Sequence, residues 1–201
     1  GRLWRFDVTN GNTAANLVAG GLIASFGTAL DAIHLPADVR RFYGAVDVYA
    51  EQKVGLQPFL NLAIGSGYRG HPLDATVHDR FYSMRDYFGF ANQTQAWFNS
   101  LTLVRDALSG APASTLLTDI TTVANPIMPV GALGWQINLN THPDWTAGEK
   151  VLVPSRTFNS QVIFTTFSPP TTAVTDPCAN IGAGTNRVYV VDVFNGAPTI
   201  D

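Results

Sequence analysis

The 201-residue chain carries 12 Lys+Arg against 15 Asp+Glu, a formal charge of −3, and its 13% of charged residues is about half the ~25% usual in a soluble domain. So few charges argue against a nucleic-acid surface, which needs clustered Lys and Arg, and a 46% hydrophobic content argues against a disordered tail. With 18 Gly and 12 Pro among many Thr and Asn, the composition points to an all-β domain of strands and turns.

In chain order, strands are expected at 2–8, 40–49, 57–65, 79–87, 133–139, 150–154, 161–167 and 187–193, where apolar, aromatic and β-branched residues alternate. Trp97, Leu101, Val104 and Leu108 fall at helical spacing, so 95–109 is read as one amphipathic helix inside an insertion near 90–125. Residues 168–186, rich in Pro, Thr and Gly, read as a long surface loop. No apolar run reaches the ~18 residues of a membrane span. Cys178 is the single cysteine, so no disulfide closes within the chain. Only Lys53 and Lys150 are lysines, and a polar surface built from Thr, Asn, Ser and Gly fits an extracellular β-protein. The chain opens at Gly1 directly in a strand-like run without signal peptide or initiating Met, the expectation for a piece of something longer.

Internal similarity is the most informative feature. Residues 41–48 (RFYGAVDV) align with 80–87 (RFYSMRDY), an offset of 39. Residues 2–11 (RLWRFDVTNG) align with 187–196 (RVYVVDVFNG), with five of ten positions identical. The motif reads as a strand buried on both faces, with Trp4 and Tyr189 on the interlayer side. Asp7 and Asp192 then bond turn amides, and Asn-Gly supplies the positive φ of a hairpin. A spacing near 40 residues with about four short strands per unit is that of a β-propeller blade.

Chemical motifs are sparse. Gly65-Ser66-Gly67 lacks the Gly-x-Ser-x-Gly spacing of a nucleophile elbow and reads as a close backbone turn at a strand end. Gly182-Ala183-Gly184 precedes a strand, which removes the phosphate-binding helix of a dinucleotide site. Of the four histidines, His34, His71, His78 and His142, two lie near Asp74 and Asp79, but without metal-ligand spacing on a regular element. Asp7 to Asn12 likewise lacks calcium-loop spacing. Trp145, in a turn-rich stretch, is the aromatic expected to be most exposed. No catalytic, cofactor or metal residue is therefore assigned within the chain.

Taken together, several segments resemble the C-terminal propeller of the PilY1/PilC proteins of type IV pili. Gly1–Asp7 (GRLWRFD) resembles that family's Gly-Asn/Arg-Leu-Trp-Lys/Arg-Phe-Asp strand, Phe59–Arg69 its Phe-Gly-Thr-Gly-Arg-Tyr strand end, and Phe81–Asp86 its Phe-Tyr-Gly-Ile-Arg-Asp segment. Gly134–Leu139 followed by Gly148–Val151 is similar to its Gly-Trp-Tyr-Leu-Asp-Leu, then Gly-Glu-Arg-Val. Val162–Pro169, Asp176–Cys178 and Arg187–Asp192 complete the series in the family's order. The resemblance covers nearly the whole chain outside 90–125.

It implies that 1–201 is the C-terminal portion of a modified β-propeller, roughly four to five blades, with upstream blades and the N-terminal adhesive domain absent. The residues carrying the motifs are Trp4, Asp7, Gly65, Gly67, Tyr82, Asp86, Trp135, Tyr189 and Asp192. The implied function is non-enzymatic: pilus biogenesis, twitching motility and adhesion at the cell surface, pilus tip or outer membrane, through pilins or minor pilins. The family's calcium loop would precede Gly1. The alternatives are an oxidoreductase related to quinoprotein propellers, for which one cysteine cannot supply the vicinal disulfide, and a structural propeller with an unrelated surface role. Open blades would also leave strand edges for association.

Overall fold

The computed structural model describes residues 1–9, 13–14, 17–28, 36–106, 116–140, 147–170 and 184–199. Strands β1 (Arg2–Val8), β2 (Val18–Ser25), β3 (Asp47–Glu51), β4 (Phe59–Gly65), β5 (Arg80–Asp86), β6 (Val104–Arg105), β7 (Leu117–Asp119), β8 (Gly134–Asn138), β9 (Arg156–Phe158), β10 (Gln161–Ser168) and β11 (Thr185–Asp192) form three sheets, with one short helix, α1 (Gln95–Ser100). The all-β expectation holds.

The first sheet has the order β1-β2-β6, the central sheet β3-β4-β5-β8-β7 and the third β11-β10-β9. In the central sheet β3, β4, β5 and β8 run antiparallel in sequence order, and β7 joins as a parallel fifth strand. The third sheet is an antiparallel meander whose β9–β10 connection is a two-residue turn at Asn159 (φ 50°) and Ser160 (φ 59°). Both central residues lie in the left-handed region, as a hairpin turn matched to strand twist requires.

Sheet-on-sheet burial organises the molecule. Alternate residues of the central sheet point to opposite faces, and both faces are covered. Phe59, Ala63, Phe81, Trp135 and Ile137 pack against Val162, Phe164, Val191 and Val193 of the third sheet and the residue after it. Leu62, Tyr82, Met84 and Leu117 pack against Ala24, Phe26 and Val104 of the first sheet and its flank. Phe81 and Tyr82, neighbours in sequence, thus fill two different cores. Phe81 stacks on Phe164 (3.7 Å between centroids) and Tyr82 on Phe26 (4.0 Å). Each such burial contributes about 1.5–3 kcal/mol.

Several boundaries differ from the sequence reading. The helix over 95–109 stops at Ser100, because Leu101 is extended (ψ 133°) and Val104 pairs in parallel with Ala24 of β2. The insertion therefore gives one strand to the first sheet and another, β7, to the central one. Of 40–49 only the part from Asp47 is strand, so the 39-residue similarity of 41–48 to 80–87 does not mark equivalent strands. Over 150–154 there is only a single bridge, Lys150 to Phe167. Strand β2, with Gly20 and Gly21, was not expected. Where four to five blade-like units were expected, the described residues form three sheets. Most of the 168–186 loop, with Cys178, and also His34, His142, Trp145 and the Asn10-Gly11 turn lie outside the described residues. Among those described, no helix is long and apolar enough to cross a membrane.

Candidate functional site

The motif residues meet at the two junctions between sheets. At the first junction, Arg5 of β1 turns toward the central sheet. Its guanidinium donates to both oxygens of Asp7 (2.7 Å each), to Asp86 Oδ2 (2.9 Å), and to the carbonyls of Phe88 (3.0 Å) and Ala91 (2.9 Å), while lying over the Trp97 ring (5.6 Å). A planar fork with five donors suits this role better than a point charge. Asp7 also accepts from the Gln93 amide (2.7 Å). Among the described residues the partners of Asp7 belong to its own strand and to the 86–93 loop, and the Asn10-Gly11 amides it was expected to cap lie outside the described residues.

At the second junction Arg85 of β5 does the same. It lies over Phe59 (5.2 Å) and donates to the Phe194 carbonyl in the third sheet's turn. Phe88 and Phe194 are equivalent. Each stands two residues after a strand-ending aspartate whose Oδ1 accepts its amide, Asp86 to Phe88 (2.9 Å) and Asp192 to Phe194 (2.7 Å). Asp192 and Gly196 (φ 72°) form the hairpin turn foreseen for 192–196. A Cβ on Gly196 would stand 2.1 Å from Ile120 Cδ1 and 3.1 Å from the Trp135 ring. Trp135 is fully buried, and its indole donates to the Val193 carbonyl (3.2 Å).

Three buried polar nodes reinforce these junctions. Tyr82 donates to Asp106 Oδ2 (2.6 Å), which also faces Arg40 (3.0 Å) and Arg80 (3.6 Å), and the Gly27 amide donates to Oδ1 (2.9 Å). Burial, followed by the Asp106 charge, raises the Tyr82 hydroxyl pKa well above normal. Glu149, fully buried, accepts from Thr166, Arg187 (2.8 Å) and Tyr189 (2.9 Å). Burial and then Glu149 raise the Tyr189 hydroxyl. Asp79 accepts from Ser66 (2.7 Å) while its Oδ2 has no hydrogen-bond partner among the described residues, and burial pushes its pKa up to about 6. Nearby, the buried Lys150 ammonium donates to the carbonyls of Pro72 (2.9 Å), Asp74 (2.7 Å) and Gly148, and burial lowers its pKa.

Gly65 and Gly67 flank Ser66 where the chain passes Val151. A Cβ on Gly67 would sit 2.1 Å from the Val151 carbonyl oxygen, and one on Gly65 2.4 Å from its side chain. The close-approach reading of this segment thus has a specific neighbour. His71 lies against Tyr68 (4.7 Å), the Asp74 carboxylate accepts from the Thr76 amide (2.8 Å), and the buried Asp79 is held by Ser66 (2.7 Å) with the Lys150 ammonium between it and the Asp74 loop. Among the described residues no three His, Cys, Asp or Glu side chains come together as a metal site. A cleft of about 450 Å³ opens beside the first junction, lined by Leu3, Phe26, Arg40, Phe42 and Val46.

Trp4 overturns the expectation that β1 is buried on both faces. Leu3, Arg5 and Asp7 face the central sheet, whereas Trp4, Phe6 and Val8 are 52%, 63% and 64% exposed. The arginines, Asp106 and Glu149 were missed by sequence reasoning. In a chain with so few charges, an arginine two residues before a strand-ending aspartate, on the same strand face, was the available signal. Comparison with family models, curated proteins and solved structures gives no match to this chain.

Proposed function

We propose that this chain is part of a β-propeller of the PilY1/PilC kind, an exported type IV pilus assembly and tip-associated factor that works through protein contacts. One observation carries the reading: three sheets, whose main hairpins follow one another along the chain while β6 returns to the first, pack face to face, and successive sheets are joined by a similar arginine-to-turn contact. Face-packed sheets built on successive antiparallel hairpins are what sectors of a propeller require, and the parallel strands β6 and β7 come from the insertion. The family's motifs fall on the strands and turns that build those junctions: Trp4 and Asp7 on β1, Tyr82 and Asp86 on β5, Trp135 on β8, Tyr189 and Asp192 on β11. Pilins or minor pilins are the partners this reading names.

Deletion of the encoding gene tests it. The expected result is loss of surface pili by electron microscopy and loss of the twitching zone, both restored by the intact gene. Normal piliation and normal twitching in the deletion strain would overturn the reading.

A further inference from the structure

The connections between strands divide by charge. The start of β4, the end of β5 and the start of β8 lie at one end of the central sheet, because these strands pair antiparallel. The Asp192 end of β11 lies there too, tied by Arg85 to the Phe194 carbonyl. At that end run the connections 52–58, 87–94, 124–133 and 193–199 and the 159–160 turn. They hold one charged side chain, Lys53. Toward the opposite end, residues 36–46 carry Asp38, Arg40 and Arg41, and 66–79 carry Arg69, Asp74 and Asp79. The charges nearest the first end are engaged behind its surface. Arg5 is bound to Asp7 and Asp86, and Asp192 to the Phe194 and Asn195 amides.

Aliphatic tips stand on this uncharged end. Val54, beside Gly55 (φ 84°), and Val130, beside Gly131 (φ 85°), ride turns whose positive φ suits glycine, and they are 103% and 107% exposed. Ile127 is 88% exposed, and Leu56, Phe88 and Phe90 are half-exposed. The tips share one surface. Lys53 lies over the Phe194 ring (5.2 Å) and Asn195 donates to the Pro126 carbonyl (3.0 Å), so the 193–199 turn sits between the two valine-bearing loops. These are internal turns of the central sheet, both of whose faces are already covered.

We propose that this end of the molecule inserts its Val54, Ile127 and Val130 tips into the surface of a lipid bilayer, as a peripheral contact. The core of a protein interface is a packed, complementary patch. Side chains as exposed as in an extended chain form no such patch, but each enters a fluid apolar phase without a matched pocket. The absence of acids on the tips avoids repulsion by lipid phosphates, and Lys53 offers them one cation while its stem stays with the apolar layer. The Asn, Gln, Ser and Thr side chains of the same connections suit the hydrated headgroup level. The inference does not depend on any role in pili.

Co-sedimentation of the 201-residue chain with phosphatidylcholine vesicles tests it, alongside Val54→Asp, Val130→Asp and, as a control toward the opposite end, Leu73→Asp. All three sites are exposed, so far-UV circular dichroism should stay unchanged, and Ile127→Asp replaces a tip variant that fails to fold. The wild type is expected in the vesicle pellet and should remain there in high salt, since a single cation contributes little. Each tip variant should bind at least about tenfold more weakly, the partition lost when a valine no longer enters the apolar phase. Leu73→Asp should bind as the wild type does. Wild-type protein left in the supernatant at every lipid concentration, the result expected if another polypeptide covers the tips, would overturn the proposal. So would binding released by salt, or binding weakened equally by Leu73→Asp. A wild-type chain that associates with itself without vesicles, and is made monomeric by Val54→Asp, would overturn it in favour of a contact between copies.

Discussion

The Tyr82 hydroxyl offers the sharpest test of how the first junction is held. Tyr82→Phe removes one oxygen and leaves the ring stacked on Phe26. The lost bond is 2.6 Å long and ends on a carboxylate that is itself buried. Hydrogen bonds to charged groups contribute about 1.5–3 kcal/mol. Asp106 retains Arg40 at 3.0 Å and the Gly27 amide at 2.9 Å, so the cost should stay near the middle of that range, about 2 kcal/mol. Asp106→Asn is the harsher change, because it leaves the buried Arg40 guanidinium without that partner, at about 3–5 kcal/mol. In urea unfolding with a slope of ~2 kcal/mol/M, Tyr82→Phe should lower the midpoint by about 1 M at unchanged slope. A shift below about 0.2 M, on the same slope, would show that the hydroxyl and Asp106 do not interact as described.

Three further changes probe other contacts. Gly67→Ala must displace the Val151 carbonyl, 2.1 Å from the new methyl, and should cost more than ~2 kcal/mol. Gly55→Ala, also at positive φ (84°) but with open space around it, should cost only the ~1–2 kcal/mol of left-handed backbone; equal melting shifts would refute the contrast. Asp79, raised from 3.8 to about 6 by burial, favours the folded state below pH ~4 and costs on the order of 3 kcal/mol once pH exceeds its folded pKa. Asp79→Asn should therefore raise the melting temperature at pH 8 and lose that advantage at pH 4; a pH-independent difference would count against it. For Arg5→Met and Asp86→Asn, a double-mutant cycle in urea should give a coupling of roughly 0.5–3 kcal/mol, and zero coupling would contradict the 2.9 Å pair.

Six of the strands were legible because apolar and aromatic residues recur through them, and the two faces of β4, β5 and β8 are buried as their near-continuous apolar runs imply. Strand β2 was hidden because Gly20 and Gly21 interrupt its apolar run. The structure needs Gly20 there, since a Cβ would stand 2.4 Å from the Phe6 ring. The helical spacing of Trp97, Leu101 and Val104 was misleading because a parallel pairing of Val104 with β2 competes with the helix. Residues 41–46 looked like a strand by their similarity to 80–85. Instead Arg40 is drawn to Asp38 (3.2 Å) and Asp106, and Phe42 to Tyr82 (6.1 Å). Asp192 behaves as its Asp-x-x-Asn-Gly context suggests, while Asp7 is paired with Arg5 two residues away on the same strand face, and only the reach of Arg5 to Asp86 depends on tertiary packing.

The two-sided burial of the central sheet is the claim on which the rest stands, and nuclear Overhauser contacts from the adjacent rings Phe81 and Tyr82 test it most directly. Phe81 should show contacts to Phe164 of the third sheet and Tyr82 to Phe26 beside the first. Contacts from both rings to only one of these partners, or solvent-exposed shifts for either ring, would contradict the account.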